Sequence, residues 1–339
     1  MTGPAERVVE NLNRGLHELF AVDERVYLLG EDIADPYGGA FKVSRGLSTR
    51  FPDRVLTTPI SEGAIVGVAG GLALCGQRPV VEIMFGDFIT LCFDQLYNFA
   101  SKSVAMYGRR VEMSLVVRCP VGGNRGYGPT HSQHPQKHFI GIPHLNLFEL
   151  SPFHDSSVLL NRMLDLGEPA ILFEDKILYG QRMHVGGRID ELVGFDFLDP
   201  RRDHARAFLF DQDECDCLVI APGGLAERVL AAMRELFLAE ELVCQLVVPA
   251  QLYPFDIEPL LPLLTRAGRV CVVEEGVAGG TWGAEVAASV HERLWGQLRA
   301  PVLRLNSVGA VIPAAPELER ATLVQKSTVY NAIRDACRA

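Results

Sequence analysis

Short apolar runs rich in Val, Ile and Leu alternate along the chain with longer stretches in which apolar residues recur every three to four positions. The short runs predict strands at Val26-Gly30, Arg54-Thr57, Pro79-Met84, Met113-Arg118, Asn146-Leu150 and Ala170-Phe173. Helical spacing falls between them, at about 61–75, 88–106 and 154–166. A second series has strands at Cys217-Ala221, Leu242-Val248, Arg269-Glu274 and Val302-Leu305, with helices near 225–239, 256–266 and 280–297. Strand–helix alternation of this kind argues for parallel sheets with helices on both faces. The expected fold class is α/β with two parallel-sheet domains, residues 1–180 and 207–339. The stretch 181–206, with Gly186-Gly187, Pro200 and Arg201-Arg202, lacks steady periodicity and reads as a linker.

The length, 339 residues, suits two cores better than one. A net charge of −10 without any basic block argues against nucleic acid as a partner. An anionic cofactor would have to be held by local donors, a metal or another subunit. None of the eight cysteines forms a CxxC pair, and most sit inside apolar runs, as expected for reduced thiols in a cytoplasmic protein. No apolar stretch has the length of a secretion signal or a membrane span, so neither is expected.

Candidate chemistry gathers after the predicted strand ends. Glu62, in Thr58-Pro59-Ile60-Ser61-Glu62-Gly63, stands at the mouth of a Gly/Ala-rich helix. It has two readings: a half-buried acid–base group aimed into a cleft, or an acid favoured by the helix dipole after a Ser N-cap. Glu31 follows the first strand and Met84-Phe85-Gly86-Asp87-Phe88 the third. In open parallel sheets ligands bind beyond the carboxyl ends of the strands, which makes one shared cleft plausible. Phe85 and Phe88 can offer ring faces to a flat ligand, or simply pack. The long Gly/Pro-rich segment Pro120–His134 carries His131, able to exchange a proton near neutral pH. His134, His138 and His144 read as loop polarity, and no metal site is assigned to the chain, because no Cys or carboxylate lies near the histidines in sequence. No P-loop, strand-linked GxGxxG or Gly-Asp-Gly segment supplies a diphosphate or magnesium cradle.

Together these motifs resemble the beta subunit of the decarboxylating component of 2-oxo acid dehydrogenases, of the pyruvate and branched-chain type, in the transketolase-like group. The resemblance rests on Leu28-Leu29-Gly30-Glu31-Asp32, Gly38–Leu47, Thr58–Glu62, Pro79–Phe85, Phe93-Asp94-Gln95 and His131-Ser132-Gln133 in the first part. In the second it rests on Pro254-Phe255-Asp256, Val273–Gly276 and Trp282–Val286. It implies a transketolase-like pyrimidine-binding domain followed by a transketolase C-terminal-like domain. It also implies thiamine diphosphate as cofactor, with Glu62 bonded to the aminopyrimidine ring so that the imino tautomer can remove the thiazolium proton. Phe88 then matches the aromatic against the pyrimidine, with Phe85 beside it. Glu31, Ile60 and Met84 match the pocket lining, and His131 a histidine involved in acyl transfer. The resemblance further implies an alpha subunit carrying most of the diphosphate and Mg2+ ligands, an alpha2-beta2 heterotetramer, a lipoyl acyltransferase partner and a 2-oxo acid substrate.

Four segments depart from the family pattern: His131–Gln136 lacks a Glu common after His-Ser-Gln, Pro143-His144-Leu145 replaces Pro-Gly-Leu, Asn146–Leu150 replaces a more Val-rich strand, and the Asp165–Pro169 turn is one residue longer. That turn borders a potassium site, K+, in some members. The altered His131 region motivates a second reading, a two-subunit carboligase that joins the activated carbon to a carbonyl acceptor. A non-catalytic scaffold for an alpha-like partner is a third, which the presence of Glu62, Phe88 and His131 disfavours.

Overall fold

The computed structural model describes residues 5–210 and 214–338. The chain divides into two compact units. One comprises the chain up to Gly122 with Thr130–Met183, the other Gly123–Pro129 with the chain from His184 onward.

In the first unit the strands are β1 (Val26–Gly30), β2 (Val55–Thr57), β3 (Arg78–Glu82), β4 (Val116–Val121), β5 (Asn146–Glu149) and β6 (Ala170–Asp175). They run parallel in the order β5-β6-β4-β3-β1-β2. Every residue of β4, β5 and β6 is buried, as near-continuous apolar runs covered on both faces require. The principal helices are α1 (Val8–Val22), α2 (Glu62–Leu74) and α3 (Ser156–Asp165). Helix α1, which the sequence reading did not anticipate, buries Val8, Leu12, Leu16, Leu19 and Phe20, a stripe of helical period, and packs on α3. Gly15 permits that approach: a Cβ there would lie 2.8 Å from the Ser157 nitrogen. Asp155 caps α3 by accepting from the Ser157 and Val158 N–H groups.

The helix expected over 88–106 is not continuous. It is a run of 3₁₀ turns over Gly86–Cys92, a π turn over Gln95–Ala100 and one α turn over Ser101–Ser103. Close packing on α2 accounts for this. A Cβ at Gly63 would lie 3.3 Å from the Gln95 amide oxygen, one at Gly67 3.9 Å from the Gln95 Cγ, and one at Gly70 only 2.4 Å from the Phe99 ring. The widened turn thus seats Gln95 and Phe99 on a glycine ridge of α2.

The second unit has β7 (Val193–Phe197), β8 (His204–Leu209), β9 (Cys217–Ile220), β10 (Cys244–Pro249), the short β11 (Gln251–Tyr253), β12 (Val270–Val277) and β13 (Leu303–Ser307). Its principal helices are α4 (Ala226–Glu240), α5 (Leu261–Ala267), α6 (Trp282–Leu294) and α7 (Lys326–Arg338), with a short helix at Pro316–Thr322. The sheet order is β13-β12-β9-β10-β8-β7. The expected parallel arrangement holds from β13 to β10, whereas β8 and β7 add an antiparallel ladder and make the sheet mixed. Strand β7 and the start of β8 fall within 181–206. Short strands interrupted by glycine and charge carry little periodic signal: Gly194 yields its side-chain space to the Phe208 and Phe210 rings. Gly123–Pro129 is tied into this unit by Gly126 N–H to Glu319 Oε2 (3.0 Å) and by the Gln325 amide to Asn124 Oδ1 (3.4 Å). No helix among the described residues is long and apolar enough to cross a membrane.

Candidate active site

Register aligns the carboxyl ends of the first unit's strands. Gly30 of β1 pairs with Thr57 of β2 and Glu82 of β3, Glu82 with Arg118 of β4, and Val121 of β4 with Asp175 of β6. The segments that leave this edge carry Glu31, Glu62, Phe85, Phe88, His131 and Lys176. Such an edge is where open parallel sheets bind ligands.

Two carboxyl groups meet there. Glu62 is the first residue of α2, and both it and Glu31 are buried. Burial pushes the Glu31 carboxyl up, the charges of Glu62 and Asp32 push it further, and the Ser61 N–H partly opposes them. Ser61 occupies the N-cap position, but its hydroxyl makes no capping bond; its backbone instead serves Glu31. The Cys92 thiol, pushed to about 12 by burial and then by Glu62 and Glu31, lies beside the pair at the end of the 3₁₀ run.

The start of the same run carries the aromatic group. Phe85 and Phe88 meet edge to face at 6.0 Å, and His131 stands near-perpendicular to both, 4.7 Å from Phe85 and 5.2 Å from Phe88 between ring centres. Phe41 approaches Phe85 at 6.3 Å. His131 Nδ1 is 2.9 Å from the Thr130 hydroxyl. The structure therefore unites Glu31 with Glu62, and Phe85 with Phe88 and His131. Ile60 is 83% exposed on the loop into α2 and Met84 is half-buried; among the described residues no hydrogen bond or ring contact ties either to these groups.

Beneath the edge lies a buried ion network. The fully buried Arg118 donates to Glu82 (3.1 Å) and, from two nitrogens, to Glu174 (2.7 and 2.9 Å). Tyr179 OH donates to Glu174 (2.6 Å), and the Ala40 N–H to Glu82 (2.6 Å). Burial pulls the guanidinium down, but Glu174 and Glu82 outweigh it and hold Arg118 above its ordinary value. The Ala40 bond fixes a loop in which Phe41 (φ 56°) and Lys42 (φ 64°) are left-handed. With Asp32 (φ 50°) and Tyr37 they line a cavity of about 650 Å³. Backbone strain of this kind clusters at functional sites.

Several participants were not evident in the sequence. Asp87 and Lys176 flank the His131 loop, and Arg118 sits inside an apolar strand run that gives no cue to an ion network. The buried Gln95 amide oxygen has no hydrogen-bond partner among the described residues. Two loop histidines are more engaged than their sequence context suggested. His134 has a side chain only 6% exposed, 3.6 Å from Asp175, and His144 bonds Glu168 at 3.0 Å. Arg110 and Asn146 also reach Glu168, at the Asp165–Pro169 turn.

The chain matches two family models, "Transketolase, pyrimidine binding domain" over residues 7–182 and "Transketolase, C-terminal domain" over 207–329. It is 33% identical over 309 residues to the pyruvate dehydrogenase E1 component subunit beta of Leifsonia xyli, covering 91% of this chain and 88% of that one. The chain belongs to the transketolase-like family, among the E1 beta subunits. Another relative in this family, the mitochondrial pyruvate dehydrogenase E1 beta subunit of Caenorhabditis elegans, is 32% identical, covering 96% of this chain and 91% of its own length. The beta subunit of acetoin:2,6-dichlorophenolindophenol oxidoreductase from Cupriavidus necator is 30% identical, covering 95% of each chain. A solved structure described as a split gene transketolase, an inactive beta4 tetramer, shares the fold with a TM-score of 0.71, 19% identity and 99% coverage of both chains. The expected transketolase-like architecture is thus borne out.

Proposed function

We propose that this chain is the beta subunit of a thiamine-diphosphate-dependent 2-oxo acid dehydrogenase, decarboxylating a 2-oxo acid and passing the acyl group to lipoamide. The observation that carries this is Glu62, held in the first turn of α2 beside Glu31 at the carboxyl edge of a parallel sheet. The donor set fits a flat, nitrogen-rich ring: a carboxyl for a ring nitrogen, a second carboxyl whose charged form burial disfavours, and aromatic edges and faces nearby. Glu62 would hold the aminopyrimidine and exchange a proton at its ring nitrogen. Glu31, with its charged form disfavoured by burial and by the Glu62 charge, would line the pocket beside Glu62. Phe85 and Phe88 would flank the ring, Ile60 and Met84 line the pocket, and His131 move a proton at its imidazole during acyl transfer. When bound, thiamine diphosphate supplies the electron sink for decarboxylation.

The family resemblance assigns the diphosphate and Mg2+ mainly to an alpha subunit, in keeping with a sequence that carries no motif to cradle them. A partner is also supported by α2, which has no charged residue after Glu62 and leaves Val68 57% exposed, near Ile60 in sequence; Leu91 is 61% exposed. A helix apolar on all sides is normally covered. The expected assembly is an alpha2-beta2 heterotetramer served by a lipoyl acyltransferase. The eight free cysteines, six of them buried, suit a cytoplasmic protein. Potassium is proposed only at the Asp165–Pro169 turn, where Arg110 already donates to the Leu166 carbonyl at 3.3 Å.

The test is co-expression with an alpha-like chain and calorimetric titration of thiamine diphosphate with Mg2+ into each chain and the complex, followed by a 2-oxo acid screen. Binding and decarboxylation by the complex alone are expected. Tight binding to this chain alone, or none to any combination, would overturn the proposal. The altered His131 segment, with His134 packed against Asp175, favours a carboligase as the second reading. Carbon–carbon bond formation without transfer to free lipoamide would select it.

A further inference from the structure

We propose that Lys176 and Asp87 are positioning residues that lock His131 against the Phe85–Phe88 rings by tethering the backbone on either side of Ser132. The proposal rests on the role given to His131 above. Lys176 follows β6 directly and is fully buried. Its ammonium donates to the His131 carbonyl at 2.9 Å and lies 5.6 Å from the Phe85 ring centre. Asp87, between the two phenylalanines, accepts from the Gln133 N–H at 3.3 Å. The Gln133 carbonyl in turn accepts from the Gly122 N–H at 3.2 Å. Ser132, between the tethered residues, is fully buried.

One tether comes from the residue directly after β6 and the other from the 3₁₀ run that follows β3, so the loop is held from two separate segments at the sheet edge. A buried ammonium is costly unless compensated. Here it has a carbonyl, a ring face and the charge of Asp87, whose carboxyl is pushed up by burial and drawn back by Gln133 N–H and Lys176. Placing a charge where an apolar residue would pack is explained by what the charge holds. His131 makes near-perpendicular contacts to two rings at once, and a shift of the backbone would break both.

The test uses the full chain labelled with 13Cε1-histidine, alone and in complex with its alpha partner. The His131 signal, one of nine, is identified by its loss in His131→Gln. Ring currents from Phe85 and Phe88 displace that signal. Lys176→Met and Asp87→Ala are each expected to return it toward the position of an unstructured histidine. Asp87→Asn, which keeps an acceptor oxygen for Gln133, should leave it in place. In the active complex the first two should lower kcat for acyl transfer by roughly 100-fold with KM unchanged, as a misplaced catalytic group does. An unmoved His131 signal in folded Lys176→Met and Asp87→Ala would overturn the proposal, and so would equal displacement in Asp87→Asn and Asp87→Ala. If Lys176→Met does not fold, the Asp87 pair decides. A wild-type complex with no 2-oxo acid activity would sink the functional proposal, while the histidine signal still judges the tethers.

Discussion

Replacing Arg118 with Met removes a charge that two buried carboxylates depend on. The substitution keeps the length of the side chain but strips three charge-assisted hydrogen bonds, of 3.1, 2.7 and 2.9 Å, from Glu82 and Glu174. Among the described residues, the Ala40 N–H and the Tyr179 hydroxyl, each at 2.6 Å, then remain to donate to the two carboxylates. Breaking a buried ion pair from one side costs about 3–5 kcal/mol, because the remaining charge is uncompensated. For a unit of this size that corresponds to a fall in Tm of about 6–20 °C. The loss has a defined pH dependence. Burial already holds the Glu82 carboxyl above its ordinary value against the pull of Arg118, so without Arg118 it binds its proton more tightly folded than unfolded, and stability declines as pH rises through that raised value. Urea melts should therefore show a larger deficit at about pH 8 than at about pH 5. Converting Glu82 and Glu174 to Gln alongside Arg118→Met should recover much of the deficit. A deficit below about 1 kcal/mol, or one identical at both pH values, would refute the reasoning.

Glu62→Gln in the reconstituted complex should cost of order 100-fold or more in decarboxylation with an unchanged melting curve, and retained turnover would remove Glu62 from its proposed role. Glu31 has a raised folded pKa against an ordinary value of 4.5, so its contribution to stability is lost as pH rises through that window. Glu31→Gln should accordingly melt higher than the parent near pH 8, with the difference closing near about pH 4; the reverse order would contradict the assigned burial effect. Gly70→Ala would drive a methyl to 2.4 Å from the Phe99 ring and should destabilise by about 1–3 kcal/mol. Gly71→Ala, with nothing within 4 Å, should instead stabilise α2 by about 0.5–1 kcal/mol, and equal effects in denaturant melts would discount the packing argument.

Much of the sheet was legible because buried parallel strands write themselves as apolar runs. Val26–Gly30 was placed to the residue, and the remaining parallel strands lie within a few positions of their runs. The rule that ligands bind beyond strand ends put Glu31, Glu62 and the Phe85–Phe88 segment at one sheet edge, and the structure has them there. Features created by packing between distant segments were not legible. The broken helix after Gly86 answers to the glycine ridge on α2, which no local pattern announces. Lys176 and Arg118 stand within or directly after apolar runs, where a charge reads as the end of a strand rather than as the centre of a network. The hairpin of β7 and β8 buries one face only, over few residues, and its alternation was masked by Gly194 and the neighbouring acids.

The seven residues Gly123–Pro129 have a consequence for how such proteins can be recombined. They belong with the second unit although the chain on both sides belongs to the first. A chimera joined at Met183 would inherit Asn124 and Gly126 from one parent and their partners Gln325 and Glu319 from the other. The heritable module is therefore discontinuous in the gene, and exchange between relatives calls for three crossovers in place of one.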